Sequence, residues 1–107
     1  MANSKYRIGL IFEYEVRDWL EERGWMVVRS AGSKTPIDLV AVRNNQTLLV
    51  QCKKGTKPPK KEREGLAILE SRTGTNIQVV LAYKRKYARN IEWYTMRAGG
   101  DVSRVYI

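Results

Sequence analysis

Two β-prone runs separated by Asn44-Asn45 constrain this chain more than any other stretch. Ile37-Asp38-Leu39-Val40-Ala41-Val42 and Thr47-Leu48-Leu49-Val50-Gln51-Cys52-Lys53 each read as a strand. An asparagine pair between such runs marks the turn of a hairpin. Side chains alternate faces along a strand, so Gln51 and Lys53 share one face and Cys52 takes the other. Pairing the two arms brings a carboxylate (Asp38), an amide oxygen (Gln51) and an ammonium (Lys53) together near one end of a small sheet. Such a trio suits a divalent metal and a scissile phosphate, which makes a nuclease the candidate function.

The flanking sequence supplies helices and further strands. Ile8, Ile11, Phe12, Val16, Trp19 and Leu20 recur at spacings of three and four and predict an amphipathic helix over Tyr6 to Arg23. Asn3 or Ser4 is its expected N-cap, and Gly24 stands where a left-handed C-terminal residue belongs. Trp25 to Arg29 reads as a strand, and Ser30 to Pro36 as a loop. A second helix is expected from about Pro59 to Ser71, with Leu66, Ile68 and Leu69 as its apolar contacts. Ile77 to Tyr83 is almost wholly apolar, as a strand buried on both faces requires. Asn90 to Arg97 is a further strand, and Arg104 to Ile107 an edge strand or a tail. The predicted order is α-β-β-β-α-β-β, an α/β domain spanning residues 1–107 with a mixed sheet flanked by helices.

Charge and composition narrow the partner. Lys and Arg outnumber Asp and Glu by 20 to 11, a formal charge of +9 on 107 residues. A surplus that large on one domain points to a polyanion, nucleic acid before a membrane surface. The chain has no histidine. That excludes histidine zinc sites, Ser-His-Asp triads and histidine general bases. A single cysteine, Cys52, cannot form an internal disulfide, and no apolar run approaches the roughly 20 residues of a bilayer span. The expected setting is therefore intracellular and cytoplasmic, with no membrane partner.

Three ordered segments carry a family resemblance. They are Arg7-x-Gly9 with Glu13-Tyr14-Glu15, then Gly24 to Ser33, then Ile37-Asp38-Leu39-Val40-Ala41 with Val50-Gln51-Cys52-Lys53. Together they resemble the archaeal-type Holliday junction resolvases of the PD-(D/E)xK nuclease superfamily, over about the first half of the chain. The resemblance implies a restriction-endonuclease-like fold. It further implies Mg²⁺-dependent hydrolysis of four-way DNA junctions by paired symmetric nicks, leaving 5′-phosphate and 3′-hydroxyl ends, with Mn²⁺ able to substitute. A homodimer is implied as well, since paired nicks require two active sites.

By the same resemblance Glu13, Asp38, Gln51 and Lys53 form the catalytic set. The metal would be held by Glu13, Asp38, Gln51 and the backbone carbonyl of Cys52, while Lys53 orients the attacking water. Arg29 and Ser33 match positions that hold the phosphate backbone. Arg7, Lys34, Lys54, Lys57, Lys60 and Lys61 complete the expected DNA-binding set. Two positions depart from the family pattern: Gln51 replaces the usual Glu, and Tyr14 replaces a common Arg. An amide oxygen still ligates Mg²⁺, at the loss of one negative charge. The alternatives are a nicking, flap or restriction-type nuclease on the same core, or a junction-binding protein whose catalytic site has lapsed.

Plainer roles are expected elsewhere. Glu15 suits a structural ion pair, and Cys52 a small apolar residue rather than a nucleophile. Trp19, Trp25 and Trp93 suit core or interface anchors. Ser30 and Ser33 lack a neighbouring base and suit loop or phosphate contacts.

Overall fold

A computed structural model describes residues 4–30, 35–96, 102–105 and 107. The chain opens with helix α1 (Ser4–Glu21), followed by strands β1 (Met26–Arg29), β2 (Leu39–Arg43) and β3 (Gln46–Gly55). Helix α2 (Lys60–Ser71) leads to β4 (Ile77–Arg85), β5 (Glu92–Met96) and β6 (Val102–Arg104). The predicted order holds, and the edge strand offered for Arg104–Ile107 lies earlier, as β6 over Val102–Arg104.

The strands form a single sheet in sequence order, β1-β2-β3-β4-β5-β6. Every neighbouring pair is antiparallel except β3 and β4, which run parallel. Parallel neighbours need a crossover, and α2 provides it. Asn44 and Asn45 turn the β2–β3 hairpin with φ of 46° and 64°. Left-handed backbone at both central positions matches the strand twist, which explains why asparagine stands at each.

The helices cover opposite faces. Phe12, Val16 and Leu20 of α1 pack on Leu39, Ala41, Leu48, Val50, Val80, Ala82 and Trp93. Leu66 and Ala67 of α2 pack on Ile37, Val79, Leu81, Tyr83 and Tyr94. Central β4 is buried from Val79 to Tyr83, as its unbroken apolar run requires. Trp25 and Trp93 are core residues, and Trp19 packs on Trp93 with ring centroids 5.1 Å apart.

Several expectations are corrected. Ile8 and Ile11 are 50% and 59% exposed, although Phe12, Val16 and Leu20 are buried. Ile8 lies on the same i, i+4 line as those three, so the cover over that line ends about a turn before it. In α2, Ile68 is 53% exposed and Ala67 takes the inner place beside Leu66. Two residues along a helix turn a side chain well past the packed face. Helix α1 ends at Glu21, short of Arg23, and Gly24 follows at φ 89° as the left-handed residue that closes it. Ser4 opens α1 itself, while Asn3, the other expected cap, lies outside the described residues.

Candidate metal and nucleic-acid site

The site forms where one strand outruns its neighbour. β3 stays paired with β4 as far as Gly55↔Arg85, but its ladder with β2 ends at Leu39↔Val50. Beyond Val50, β3 therefore has a strand partner on one side only among the described residues. Asp38 stands in the resulting fork, just before β2 and not within a strand as its apolar neighbours suggest. Its backbone is fixed from both sides: its N–H donates to Val50 O at 2.8 Å, and its carbonyl accepts from Ser30 N–H at 2.9 Å. Its carboxylate Oδ2 accepts the backbone N–H of Cys52 at 2.8 Å.

A cleft of about 510 Å³ opens at the fork, lined by Glu13, Thr35, Pro36, Asp38, Gln51, Cys52, Lys53 and Glu62. Glu13 approaches from α1 and Glu62 from α2, so the two helical layers meet the site from opposite faces. The alternation expected along β3 is seen in the packing. Cys52 lies against the α1-side core, while Lys53 Nζ sits 3.6 Å from Glu62 Oε2 on the α2 side.

Burial raises the Asp38 carboxyl above its ordinary value of 3.8. The Cys52 N–H opposes this, Glu13 reinforces it, and Lys53 and Arg29 oppose it in turn. Burial likewise pushes the Cys52 thiol well above 9.0, with Asp38 and Glu13 adding to the effect. A thiol held protonated and packed against the core is a poor nucleophile, in line with the plainer reading of that residue. Glu13 is only partly buried and pairs with Arg29, whose Nε lies 3.1 Å from its Oε1.

A hard cation fits these donors. Gln51 is 4% exposed, and its Oε1 is buried with no hydrogen-bond partner among the described residues. A buried carbonyl oxygen left without a donor is costly, about 1–3 kcal/mol, and calls for a ligand at that point. Asp38 and Gln51 are lining residues of one cleft, and Mg²⁺ favours carboxylate and amide oxygen donors such as theirs. Among the described residues no three His, Cys, Asp or Glu side chains cluster to hold a metal.

The expected DNA contacts fare unequally. Arg7, Lys54, Lys57, Lys60 and Lys61 are exposed, and none of them lines the cleft. Lys57 is not free in solvent: its Nζ lies 4.5 Å from the Tyr94 ring centroid and 5.7 Å from that of Tyr83. Lys60 is 4.0 Å from Glu64. Ser33 and Lys34 fall outside the described residues. Tyr14 carries Arg17 at 4.7 Å and Arg29 at 5.6 Å from its ring, a cationic cluster where the family pattern has a single Arg. Glu15 forms its structural ion pair, 2.7 Å from Lys84 Nζ. Thr35, Pro36 and Glu62 are cleft residues that the hairpin pattern did not single out. Glu62 was hidden because it arrives from a separate element.

A mixed α/β sheet forked between β2 and β3, with an acidic residue in the fork and a helix on each face, defines a restriction-endonuclease-like domain. Within that class, the chain belongs to the archaeal Holliday junction resolvase (Hjc) family, whose sequence model matches residues 4–104. The match reaches well past the first half of the chain, where the quoted motifs lie. The crossover junction endodeoxyribonuclease Hjc of Methanocaldococcus jannaschii is 47% identical over 53 residues, covering 50% of this chain and 39% of that protein. The alignment thus spans under half the length of that relative. The solved structure of Hjc from Archaeoglobus fulgidus superposes with a TM-score of 0.64 at 23% identity, over 81% of this chain and 76% of that one. That likeness speaks to the fold.

Proposed function

We propose that the chain is a divalent-metal-dependent endonuclease acting on four-way DNA junctions. The observation that supports this most is the meeting of Asp38, Lys53 and the unpartnered Gln51 oxygen in one cleft of a domain from this family. In this reading Asp38, Gln51 Oε1, the Cys52 carbonyl and Glu13 would hold Mg²⁺, or Mn²⁺ in its place. Such a cation, when bound, polarises the phosphodiester and activates water for attack.

The protein's own groups do the rest. The Cys52 N–H fixes one oxygen of Asp38, so the carboxylate enters the reaction already oriented. Lys53 donates hydrogen bonds to the attacking water and offsets charge growing on the phosphate. Arg29, held by Glu13, keeps a guanidinium beside the cleft for a phosphate of the DNA backbone. The lysines of the β3–α2 segment extend this basic surface along the duplex. A homodimer supplies two such sites for opposed nicks that leave 5′-phosphate and 3′-hydroxyl ends.

One observation favours a second reading. Because the buried residue heading the Gln51-x-Lys53 motif is a neutral amide rather than a carboxylate, the chain also suits a junction-binding protein that does not cut. Incubating four-way junction, flap and linear duplex with Mg²⁺ or Mn²⁺ separates these readings. Paired nicks in the junction that disappear with EDTA and in Asp38→Ala support the nuclease. Tight junction binding without cleavage under either metal supports the second reading, and preferential cutting of flap or linear DNA reassigns the substrate.

A further inference from the structure

Glu62 has no part in the mechanism just described, yet it stands in the cleft. It lies in the first turn of α2, close behind Pro59, which caps the helix without any side-chain hydrogen bond. An acidic side chain in a first turn ordinarily serves the helix's own N–H groups. Glu62 instead lies with its Oε2 3.6 Å from Lys53 Nζ, the ammonium that closes the Gln51-x-Lys53 motif.

The charges around the fork explain that placement. Gln51 occupies a buried position, 4% exposed, and is neutral there. Glu13 lines the same cleft, but its charge is partly offset by Arg29. Without Glu62, Lys53 would face the cleft opposed only by Asp38 and the Arg29-paired Glu13, and a cation entering it would meet a less compensated ammonium. Lysine carries its charge on a flexible four-carbon stem, so a partner is also needed to hold it in one place. Gln51, a lining residue of the same cleft, has a buried Oε1 without a donor among the described residues, which suits a cation held beside it.

We propose that Glu62 is a positioning residue: it holds Lys53 at the fork and returns to the cleft the negative charge that Gln51 does not carry. It acts through Lys53 and through its field rather than as a metal ligand, since it does not join Asp38 and Glu13 in a three-carboxylate cluster. The inference rests on the metal-dependent reading of the site given above.

Calorimetric titration with Mn²⁺ in the absence of DNA tests it, using wild type, Glu62→Gln, Glu62→Asp, Gln51→Glu/Glu62→Gln and Asp38→Ala, each checked by thermal melting. Glu62→Gln is expected to bind Mn²⁺ about tenfold more weakly, the lower end of what supporting residues around a metal contribute. Glu62→Asp, which keeps the charge, should lose less, and the double variant should recover most of the loss. In junction cleavage, Glu62→Gln should lower kcat while leaving KM for DNA unchanged.

Wild-type Mn²⁺ affinity in Glu62→Gln, or equal losses in Glu62→Gln and Glu62→Asp, would overturn the role. The two aspartate and glutamine variants decide the matter even if the double variant does not fold. Full Mn²⁺ binding by Asp38→Ala would sink the reading of the site itself. Loss in Asp38→Ala beside an unaffected Glu62→Gln would remove Glu62 alone.

Discussion

The backbone N–H of Cys52 donates to the Asp38 carboxylate at 2.8 Å, tying the fork residue to β3 beyond the point where β2 stops pairing with it. That bond steadies a carboxylate whose surroundings otherwise disfavour its charge. Asp38 is therefore a residue whose ionised form suits a ligand better than it suits the fold.

Asp38→Asn tests this balance. Because the folded-state value of Asp38 is raised, the folded chain takes up its proton more readily than the unfolded chain. The stabilising contribution is complete below the unfolded value, about 3.9, and is lost as pH rises through the folded one. In metal-free buffer at neutral pH, Asp38→Asn should melt at or above the wild-type temperature, and the gap should close in acid. Junction cleavage by the same variant should fall at least about 10²–10³-fold, the loss seen when one preorganised oxyanion donor is removed. A variant that melts well below wild type at neutral pH contradicts the account.

Gln51→Leu removes the unpartnered oxygen while roughly keeping side-chain volume. Saturating Mn²⁺ at about a hundredfold above its Kd should stabilise wild type by roughly 2.7 kcal/mol. Differential scanning fluorimetry of Gln51→Leu should show a clearly smaller metal-induced rise in Tm. An undiminished rise would mean that the Gln51 oxygen holds no cation.

Junction affinity should be steeply salt dependent. For six to ten neutralised phosphates, raising salt from about 50 to 200 mM should weaken binding about 10³–10⁵-fold. Lys54→Ala should lower the slope of log affinity against log salt by about one, and Lys57→Ala should do less because its ammonium already lies over Tyr94. Equal effects of the two substitutions in electrophoretic mobility-shift titrations would show that the ring contact does not restrain Lys57.

The two faces of α2 should respond differently. Leu66 is fully buried, so Leu66→Ala should cost about 2–5 kcal/mol in urea unfolding. Ile68 is 53% exposed, and Ile68→Ser should stay within about 0.5 kcal/mol. A large loss at Ile68 would place that side chain in an interface, as a homodimer through this face would do.

Local patterns were legible where short-range physics decides them. The Asn44-Asn45 turn, Gly24 at the end of α1 and the unbroken apolar run of β4 each follow from backbone preference or two-sided burial. The convergence of Asp38 with Gln51 and Lys53 was legible too, because hairpin pairing makes it nearly local. Long-range placement was not. The late start of β2, at Leu39, depends on how the sheet splits, and that leaves Asp38 outside a strand. The exposure of Ile8 and Ile11 depends on where the core cover stops, which helical spacing cannot express. The ring contacts of Lys57 join a loop to strands far along the chain, which the basic composition that placed Lys57 among the DNA contacts cannot express.

Glu13 and Glu62 close the cleft from opposite sides of the sheet. A fragment lacking either helix would lose one wall of the pocket along with half of the hydrophobic packing, so competence and cooperative folding stand or fall together. Exchange of parts between relatives is therefore constrained to the intact sandwich, and transplanting the hairpin alone would carry its oxygen and nitrogen atoms without the walls that give them a purpose.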